Sequence, residues 1–500
     1  KREEIFLHSI TMVKAVVGED TRLTSAEDRL SQSAIPAEVG LVIGKLSSAL
    51  DRGFVFDLIP TPSNDDGNPA CSVLETRDDK KKPSKPKSQS SESSSLSIDS
   101  DWVAEHARQV SRMLLGGVKV VGIYVWASES AFKNSTMILC QAIKGVTDAI
   151  RHLDPGLDEA LLIHICYSPR RWNCRTCLLN SSIISSSLRP CDFKLGRVLS
   201  SLQRFKCSYS FNFRLPIYSG GKSAARTFTE ILRQELVIHA EELESANAMI
   251  DGDLVHNDEP CNTEGDHEIE LLCPFMKASR ADVSAAKNVT GLLLFGGSIF
   301  SYAYLNAKEP VSQAIADIKA DITRSMQSRL DIICDEAQDL NPADVGDNEE
   351  AEMSKTHISK LIFNSSTKAC HLRLPRRVLV PWLAGTYLCD YLQPFETLEV
   401  VKERCVEFMS MEHSSLDASK ISEVETETSL SVAESSMWDV ISSASSASGY
   451  GLEGNVERTS REDGSKRTGN TSDASNVPIL VAVFVLLLSV ILGFMLYQWD

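Results

Sequence analysis

The chain has 500 residues, of which 43% are hydrophobic and 24% are charged, ordinary proportions for a globular protein of about two or three domains. Its formal net charge of −17 argues against a nucleic-acid-binding protein, which would need a basic surface. Its 13 cysteines have irregular spacing, which does not fit a disulfide framework and favours a reducing compartment.

The first part of the chain, residues 12–155, is predicted to contain strands on both sides of a polar insert. E-V-G-L-V-I-G-K-L (38–46) and G-F-V-F-D-L-I-P-T-P (53–62) have the apolar, β-branched composition of strands. Residues 63–100 form an insert rich in Ser, Lys and Pro, and disorder is predicted there because burial cannot compensate the entropy of ordering it. From 101 to 126 the pattern predicts a helix that ends at a Gly pair, followed by a buried strand.

The second part, residues 156–410, is predicted to be a further α/β domain. Apolar residues from Val311 to Ile333 recur every three or four positions, which predicts a long amphipathic helix that starts after Pro310. Acidic stretches at about 244–268 and 335–356 are predicted to be solvated loops. Strands are predicted at 161–167, 207–217, 290–305 and 377–383.

The C-terminal part combines a polar segment with a long apolar one. Residues 411–475 are rich in Ser, Glu, Thr and Gly, which predicts a flexible tether. The stretch from Val477 to Tyr497 carries no charge, and at about 1.5 Å per residue it would span about 30 Å, the thickness of a bilayer core. We expect a single transmembrane helix that acts as a tail anchor. Basic residues between 458 and 467 precede it, which favours a cytosolic bulk of the chain.

Patterns of catalytic or metal-binding residues are weak in this sequence. Glu105 and His106 are adjacent, and on a helix their side chains point about 100° apart, so a helix face with His106 packed near Trp102 is the simpler interpretation. Cys174 and Cys177 form a C-x-x-C without the second pair that a structural zinc would need. There is no G-x-S-x-G motif and no phosphate-binding loop. We therefore expect no catalytic residue, no metal and no other cofactor.

One short motif lies in the predicted tether. Trp438 and Ile441, in A-E-S-S-M-W-D-V-I (433–441), have the aromatic-x-x-aliphatic spacing of peptides that bind autophagy ubiquitin-like modifiers. Such an extended peptide adds a strand to its partner and places both side chains in pockets. Matches of four residues are frequent by chance, so both interpretations stay open.

The stretch D-W-V-A-E-H-A-R-Q-V-S-R-M-L-L-G-G-V-K-V-V-G (101–122) resembles the family of odorant response abnormal protein four almost position for position. Similar blocks recur at 174–177, 290–337 and 375–391. The resemblance implies a membrane-tethered, non-enzymatic factor at the endoplasmic reticulum. It also implies partners: membrane receptors such as G-protein-coupled receptors, and a protease specific for a Ufm-type ubiquitin-like modifier.

A second resemblance is to the start of an MPN domain, carried by 38–46, 53–62 and V-V-G-I-Y (120–124). In metalloprotease members, G-x-Y is followed by the zinc ligands H-x-H, and a Glu three residues before the G-L-x-x-G strand activates water. Val125 and Ala127 stand at the two histidine positions. Glu38 lies two residues before Gly40, which places it on the opposite face of a strand. The resemblance therefore implies an MPN-like domain without its metal centre.

These features predict an α/β (α+β) protein: an MPN-like pseudo-enzyme domain, a second α/β domain, a disordered tether and one transmembrane helix. The favoured function is that of a single-pass, tail-anchored adaptor in the endoplasmic reticulum membrane, which acts in protein localisation and recruits the Ufm-type protease. The alternative is an unconventional hydrolase of ubiquitin-like conjugates, which would need ligands that the sequence does not contain.

Overall fold

The computed structural model describes residues 13–433, except for 48–49, 76–93, 152, 154–155, 180–184, 219–227, 256–259, 261–264, 274–288, 340–370, 423–424 and 426–428. The strands are β1 (Ala15–Glu19), β2 (Glu38–Ser47), β3 (Arg52–Pro60), β4 (Cys71–Glu75), β5 (Ser94–Ile98), β6 (Lys119–Trp126), β7 (Glu159–Tyr167), β8 (Arg170–Leu178), β9 (Arg189–Gly196), β10 (Leu202–Tyr218), β11 (Asn247–Ile250), β12 (Asp253–Leu254), β13 (Asp266–Leu272), β14 (Val289–Asn306), β15 (His371–Arg373), β16 (Arg376–Pro381), β17 (Tyr387–Leu392) and β18 (Ser429–Ala433). The helices are α1 (Asp20–Gln32), α2 (Ser100–Met113), α3 (Glu129–Asn134), α4 (Thr136–Ile150), α5 (Phe228–Glu244), α6 (Val311–Asp339) and α7 (Leu398–Met409).

Seven of the described strands close into a barrel with the order β1-β3-β2-β6-β7-β8-β9. Their runs of Val, Ile and Leu reflect a wall with both faces covered, and every residue from Val39 to Lys45 is buried. Strand β9 closes the barrel because it pairs in parallel with β1 and antiparallel with β8. The domain boundary predicted at residue 155 is wrong, since β7, β8 and β9 lie beyond it and β7 pairs with β6.

Helices cover both faces of the barrel wall. Leu23 and Leu30 of α1 pack with one set of buried strand residues, and Val103 and Val110 of α2 pack with another, together with α4. Helix α2 begins where Asp99 accepts a hydrogen bond of 3.1 Å from the backbone N–H of Trp102. This cap satisfies one of the N–H groups that a helix start leaves free.

A second sheet has the order β12-β11-β13-β10-β14-β18-β15 and is built on the long antiparallel pair β10 and β14. Helix α6 lies against it, and Ile318, Ile322 and Met326, four residues apart, are fully buried. The predicted amphipathic helix is therefore confirmed, and it continues to Asp339. The mixed α/β organisation is confirmed as well.

The pair Gly116 and Gly117 joins the barrel to the second sheet. Both residues have a positive φ, of 70° and 81°. A Cβ at Gly116 would lie 2.4 Å from the ring of Tyr304, and one at Gly117 would lie 2.2 Å from the carboxylate of Asp317. Only glycine fits this conformation and these distances, so the Gly pair is a close contact between the barrel and the second sheet with its helix α6. The helix predicted to end at this pair ends earlier, at Met113, where Leu114 is already extended.

A buried ion cluster crosses the same junction. Lys45 of β2 donates a hydrogen bond of 2.9 Å to Asp317 of α6 and one of 3.1 Å to the carbonyl oxygen of Tyr304. The carboxylate of Glu309 lies 3.7 Å from the same ammonium group. Burial disfavours the charged form of Lys45, but the two carboxylates outweigh it and raise the pKa of this lysine.

Part of the predicted disordered insert is ordered. Strands β4 and β5 pair antiparallel, from Cys71 opposite Ile98 to Glu75 opposite Ser94. The prediction is wrong for these strands because a Ser-rich composition masks the alternation of Leu96 and Ile98, both of which are buried in the core beside α2. The insert residues between the two strands, 76–93, lie outside the described residues.

The two predicted acidic loops also contain regular structure. The stretch 244–268 holds β11, β12 and the start of β13. In β13, His267 and Ile269 are buried and the acidic residues beside them are exposed, so this is an alternating strand whose charge hid its pattern. The stretch 335–356 begins inside α6, which ends at Asp339, and its remainder lies outside the described residues.

The prediction of a tether from residue 411 is wrong for its first part. Residues 413–415 and 418–420 form short 3-10 helices, and β18 lies between β14 and β15 in the second sheet. Glu425 accepts a hydrogen bond of 2.8 Å from the backbone N–H of Phe300 and pairs with Arg329, which is completely buried. Pairing with strands distant in sequence orders this Ser- and Glu-rich stretch. Residues 434–475 lie outside the described residues.

Candidate functional site

Val125 and Ala127, at the positions of the expected zinc ligands, lie at the end of β6 and just beyond it. Both are completely buried, with 0% of each residue exposed. They belong to the apolar core that contains Phe132 and Ile143. Aliphatic side chains have no lone pair to offer, so these two positions cannot hold a metal ion.

Glu38, at the position closest to the expected general base, takes part in a structural ion pair. Arg29 donates two hydrogen bonds to its carboxylate, of 2.7 and 2.9 Å, and the hydroxyl of Tyr124 donates a third of 2.6 Å. Successive side chains of a strand alternate between faces, and Glu38 of β2 stands opposite Trp126 of β6. Tyr124 and Glu38 therefore lie on the face of the sheet opposite to Val125. Burial and the carboxylate of Glu38 raise the pKa of Tyr124, which keeps its hydroxyl a donor.

The sequence motifs gave no sign of His164, the titratable residue beside these positions. This residue of β7 stands in register with Val125, and only 1% of it is exposed. Its Nε2 donates a hydrogen bond of 3.1 Å to the carbonyl oxygen of Ala127, and its ring stacks on Phe132 at 4.0 Å. Burial lowers the pKa of His164, so it is a neutral core histidine. The available signal was a single polar residue within L-L-I-H-I-C-Y (161–167).

Within the described ranges, no three His, Cys, Asp or Glu side chains come together as a possible metal site.

Glu105 and His106 do not converge. His106 is buried and bridges two distant parts of the chain, with Nδ1 at 3.3 Å from the hydroxyl of Thr61 and Nε2 at 2.9 Å from the carbonyl oxygen of Phe408. Burial lowers its pKa to about 4. Glu105 instead pairs with Arg108 along the surface of α2. His106 therefore ties α2 to α7 and has no geometry for acid–base chemistry with Glu105.

Cys174 and Cys177 lie on β8 with their side chains on opposite faces. Side chains alternate along a strand, so two residues three positions apart point to opposite faces. The two thiols accordingly belong to different apolar cores, Cys174 beside α1 and Cys177 beside α4. This C-x-x-C therefore cannot bind one metal ion.

A groove of about 440 Å³ opens between α2, α6 and α7 at the end of β17. Its apolar wall consists of Met113, Leu153, Ile332 and Phe408. Phe395 stands at the rim, and 81% of it is exposed, more than any other large apolar residue of the described part. A side chain of this size gains free energy when another surface covers it, so the groove is the best candidate for a binding site.

An ion network holds the rim in place. Arg404 of α7 donates hydrogen bonds of 3.1 Å to Asp390, 3.0 Å to the carbonyl oxygen of Tyr391 and 2.5 Å to Glu396. Glu396 also accepts one of 2.7 Å from the backbone N–H of Gln393. The short loop that carries Phe395 is therefore fixed at both sides, which lowers the entropy cost of binding. Burial raises the pKa of Asp390, against the effect of Arg404.

The remaining predicted positions lie outside the described residues: the peptide motif with Trp438 and Ile441, and the apolar segment from Val477 to Tyr497. Among the helices of the described part, none is long and apolar enough to cross a membrane.

Residues 40–420 match the model of a family described as ODR4-like, odorant response abnormal 4-like. Curated relatives named Protein odr-4 homolog include one from Mus musculus, 25% identical over 415 residues, which covers 78% of this chain and 82% of the relative. The homolog from Dictyostelium discoideum is 25% identical over 396 residues and covers 77% of each chain. The homolog from Homo sapiens is 25% identical over 337 residues, 62% of this chain and 69% of the relative.

The crystal structure of UfSP from C. elegans is similar to this chain with a TM-score of 0.34 and 8% identity, over 80% of this chain and 56% of that one. A likeness this weak carries no argument about fold or activity. The family match rests on the sequence, and it spans the barrel from β2 onward, the second sheet apart from β18, and α7. Because the match covers most of the chain, this protein belongs to the ODR4-like family.

Proposed function

We propose that this protein is a non-enzymatic adaptor of the endoplasmic reticulum membrane. It assists the localisation or maturation of membrane proteins, receptors such as G-protein-coupled receptors among them, and recruits a Ufm-type modifier-specific protease. Membership of a family named for the odorant response supports a role with receptors. The observation that carries the non-enzymatic part is the complete burial of Val125 and Ala127 where an MPN metalloprotease would hold zinc.

Membrane attachment is part of the proposal. The uncharged stretch from Val477 to Tyr497 has the length and composition of one transmembrane helix. A single such helix would hold the barrel and the second sheet at the cytosolic surface. Tethering raises the effective concentration of any bound partner near membrane clients, so the adaptor needs no chemistry of its own.

The barrel is, in this proposal, an MPN-like domain that has kept its scaffold without the metal centre. Glu38 supports this assignment, because Arg29 and Tyr124 hold its carboxylate on the face of β6 opposite to Val125. A carboxylate fixed in this way cannot activate a water molecule at positions 125 and 127.

The groove beside Phe395 is the proposed surface for the Ufm-type protease, which would insert an apolar side chain between α2 and α7. Its lining includes Gln109, Arg112 and Met113 from the stretch that most resembles the family. Aromatic side chains that a partner covers completely dominate many contacts between proteins, and Phe395 would be covered in this way once the protease is bound.

A photo-reactive phenylalanine analogue at position 395 of the full-length protein tests this surface. We expect light-dependent crosslinking to the protease in cells, and none from the matched position Met137, 58% exposed on α4. Equal crosslinking from both positions, or none from 395 while the protease still co-purifies, would exclude the groove. When residues 477–497 are deleted, the protease should no longer co-purify with the membrane fraction but should still co-purify with the soluble chain. This result would support recruitment of the protease to the membrane.

The competing hydrolase hypothesis is tested on the same protein. Purified full-length chain should contain no stoichiometric zinc and should not cleave Ufm-type or ubiquitin-like conjugates. Either bound zinc or turnover would contradict the adaptor proposal.

Trp438 and Ile441 add a second proposed contact, with an autophagy ubiquitin-like modifier. We expect Trp438→Ala to abolish pull-down by that modifier and to leave protease binding intact. Unchanged pull-down would remove this contact and would not affect the rest of the proposal.

A further inference from the structure

Cys174 and Cys191 stand directly opposite each other on the neighbouring antiparallel strands β8 and β9. Opposite residues of such a pair have Cα atoms about 4.5 or about 5.5 Å apart. Both values fall within the range of about 4.4–6.8 Å that a disulfide bond requires. Directly opposed side chains also point to the same face, so the backbone geometry permits a bond between the two sulfur atoms.

The surroundings keep this pair together. Both cysteines are free; Cys174 belongs to the apolar core beside α1, and the partly buried Cys191 packs against that core. The Cys174 thiol is the donor toward the Cys191 sulfur, and the Cys191 thiol lies 3.7 Å from the carbonyl oxygen of Val13. Next to them on the same face, Trp172 and Phe193 stack at 5.3 Å with an interplanar angle of 4°. Cys174 is buried at 4% exposure, whereas Cys191 is partly exposed and can meet a reagent from solution.

We propose that Cys174 and Cys191 form a reversible redox pair, which a small-molecule disulfide such as glutathione disulfide oxidises to a bond between β8 and β9. The Cys191 thiolate attacks one sulfur of glutathione disulfide and releases one glutathione thiolate, which takes up a proton. The Cys174 thiolate then attacks the Cys191 sulfur of the mixed disulfide and releases the second glutathione. Two protein thiols are thereby oxidised to one disulfide, and one glutathione disulfide is reduced to two glutathione molecules.

The electrostatics of the pair agree with this order of attack. The hydrogen bond from Cys174 lowers the pKa of Cys191, and the same hydrogen bond together with burial raises the pKa of Cys174. The more exposed residue is therefore the better nucleophile, and the buried one resolves the mixed disulfide. Cys177, on the opposite face of β8, cannot take either role.

The bond would act on the strand that closes the barrel. Only three residues of β9 are in register with β8, from Arg189 to Cys191, while five are in register with β1. A disulfide at the end of this short ladder holds β9 in place and restricts the unfolded chain. The oxidised protein should therefore unfold at a temperature higher by a few degrees.

The test uses full-length protein in detergent, equilibrated in glutathione buffers of defined ratio, alkylated and digested with trypsin without reduction. Cleavage after Arg171 and Arg175 leaves Cys174 in a four-residue peptide. Trypsin does not cut before Pro190, so Cys177 and Cys191 share the peptide 176–194. The variant Cys177→Ser removes this ambiguity, and fragment ions between the two positions resolve it in the wild type.

We expect the two peptides to be linked through Cys191, and we expect Cys191→Ser to lose both the link and the rise in unfolding temperature. In the reduced wild type, Cys191 should be alkylated faster than Cys174. The proposal is overturned if exposed Cys273 is fully modified by glutathione while Cys174 and Cys191 stay reduced. A link that involves Cys177, or equal alkylation rates for Cys174 and Cys191, would also overturn it.

Discussion

Lys45 of strand β2 and Asp317 of helix α6 form an ion pair of 2.9 Å across the junction between the barrel and the second sheet. Their side chains are only 6% and 7% exposed, so water cannot solvate either charge if its partner is removed. Removal of one charge from a buried pair leaves the other uncompensated. The pair therefore fixes the relative position of two sheets that belong to one compact unit.

Replacement of Lys45 by Met should lower the free energy of unfolding by about 3–5 kcal/mol, because Asp317 and Glu309 would remain buried without a cation. Urea unfolding followed by circular dichroism measures this change. Lys14→Met is the matched control, since the ion pair of Lys14 with Asp51 is exposed and such pairs contribute less than about 1 kcal/mol. Equal effects of the two substitutions would show that the buried pair does not hold the junction.

The stability of the protein should fall between pH 6.5 and 4 because of His106. Its pKa is about 4 in the folded state, against the ordinary value of 6.5, so the unfolded chain takes up the proton first as the pH drops. The neutral form therefore stabilises the fold fully above pH 6.5, and this contribution is lost progressively down to about pH 4. The gap between the two pKa values corresponds to about 3 kcal/mol.

Urea midpoints from pH 7 to pH 4.5 measure this dependence, and His106→Gln should reduce its slope because glutamine does not titrate. His413→Gln, a change at an exposed histidine, should leave the slope unchanged. If the slope of His106→Gln equals that of the wild type, His106 does not titrate in this range.

Glu425 should be essential for the second sheet although it lies in a Ser- and Glu-rich stretch. Glu425→Gln removes the charge that faces Arg329, whose side chain is 0% exposed, and should lower the free energy of unfolding by about 3–5 kcal/mol.

A chain cut after residue 410 should aggregate, since it lacks both Glu425 and β18. A chain cut after residue 448 should fold. Size-exclusion chromatography and circular dichroism of the two truncated chains decide this prediction, and a monomeric, folded 1–410 chain would contradict it.

Histidines at the former ligand positions should destabilise the protein and should not restore a zinc site. Val125→His with Ala127→His places two imidazoles in an apolar core, which should cost more than about 2 kcal/mol through overpacking and buried polar groups. Elemental analysis should find no stoichiometric zinc, because Glu38 stays bound to Arg29 and Tyr124 on the other face. Met137→His, at an exposed position, should leave stability unchanged. Zinc binding by the double variant would mean that the site can still assemble.

The sequence by itself determined the elements whose apolar residues repeat within one segment. The strand at 38–46 and the strand after the Gly pair follow from continuous apolar, β-branched runs, because both of their faces are buried. The long helix after Pro310 follows from the spacing of its apolar residues, because burial of one face imposes that spacing locally. The same reading identified aliphatic residues at positions 125 and 127. It also predicted that His106 is a packed helix residue, although its partners, Thr61 and Phe408, could not be named.

Only the tertiary structure decided which segments with little apolar content are ordered. Strand β5 at 94–98, strand β13 at 266–272 and strand β18 at 429–433 have compositions typical of loops or tethers. Strand β5 is ordered because it pairs with the preceding strand β4 and buries Leu96 and Ile98, whereas β13 and β18 pair with segments far away in sequence. The closure of the barrel by β9 and the meeting of Cys174 with Cys191 have the same origin. Composition measures what a segment could bury alone, whereas strand pairing and buried ion pairs depend on neighbours that only the folded chain brings together.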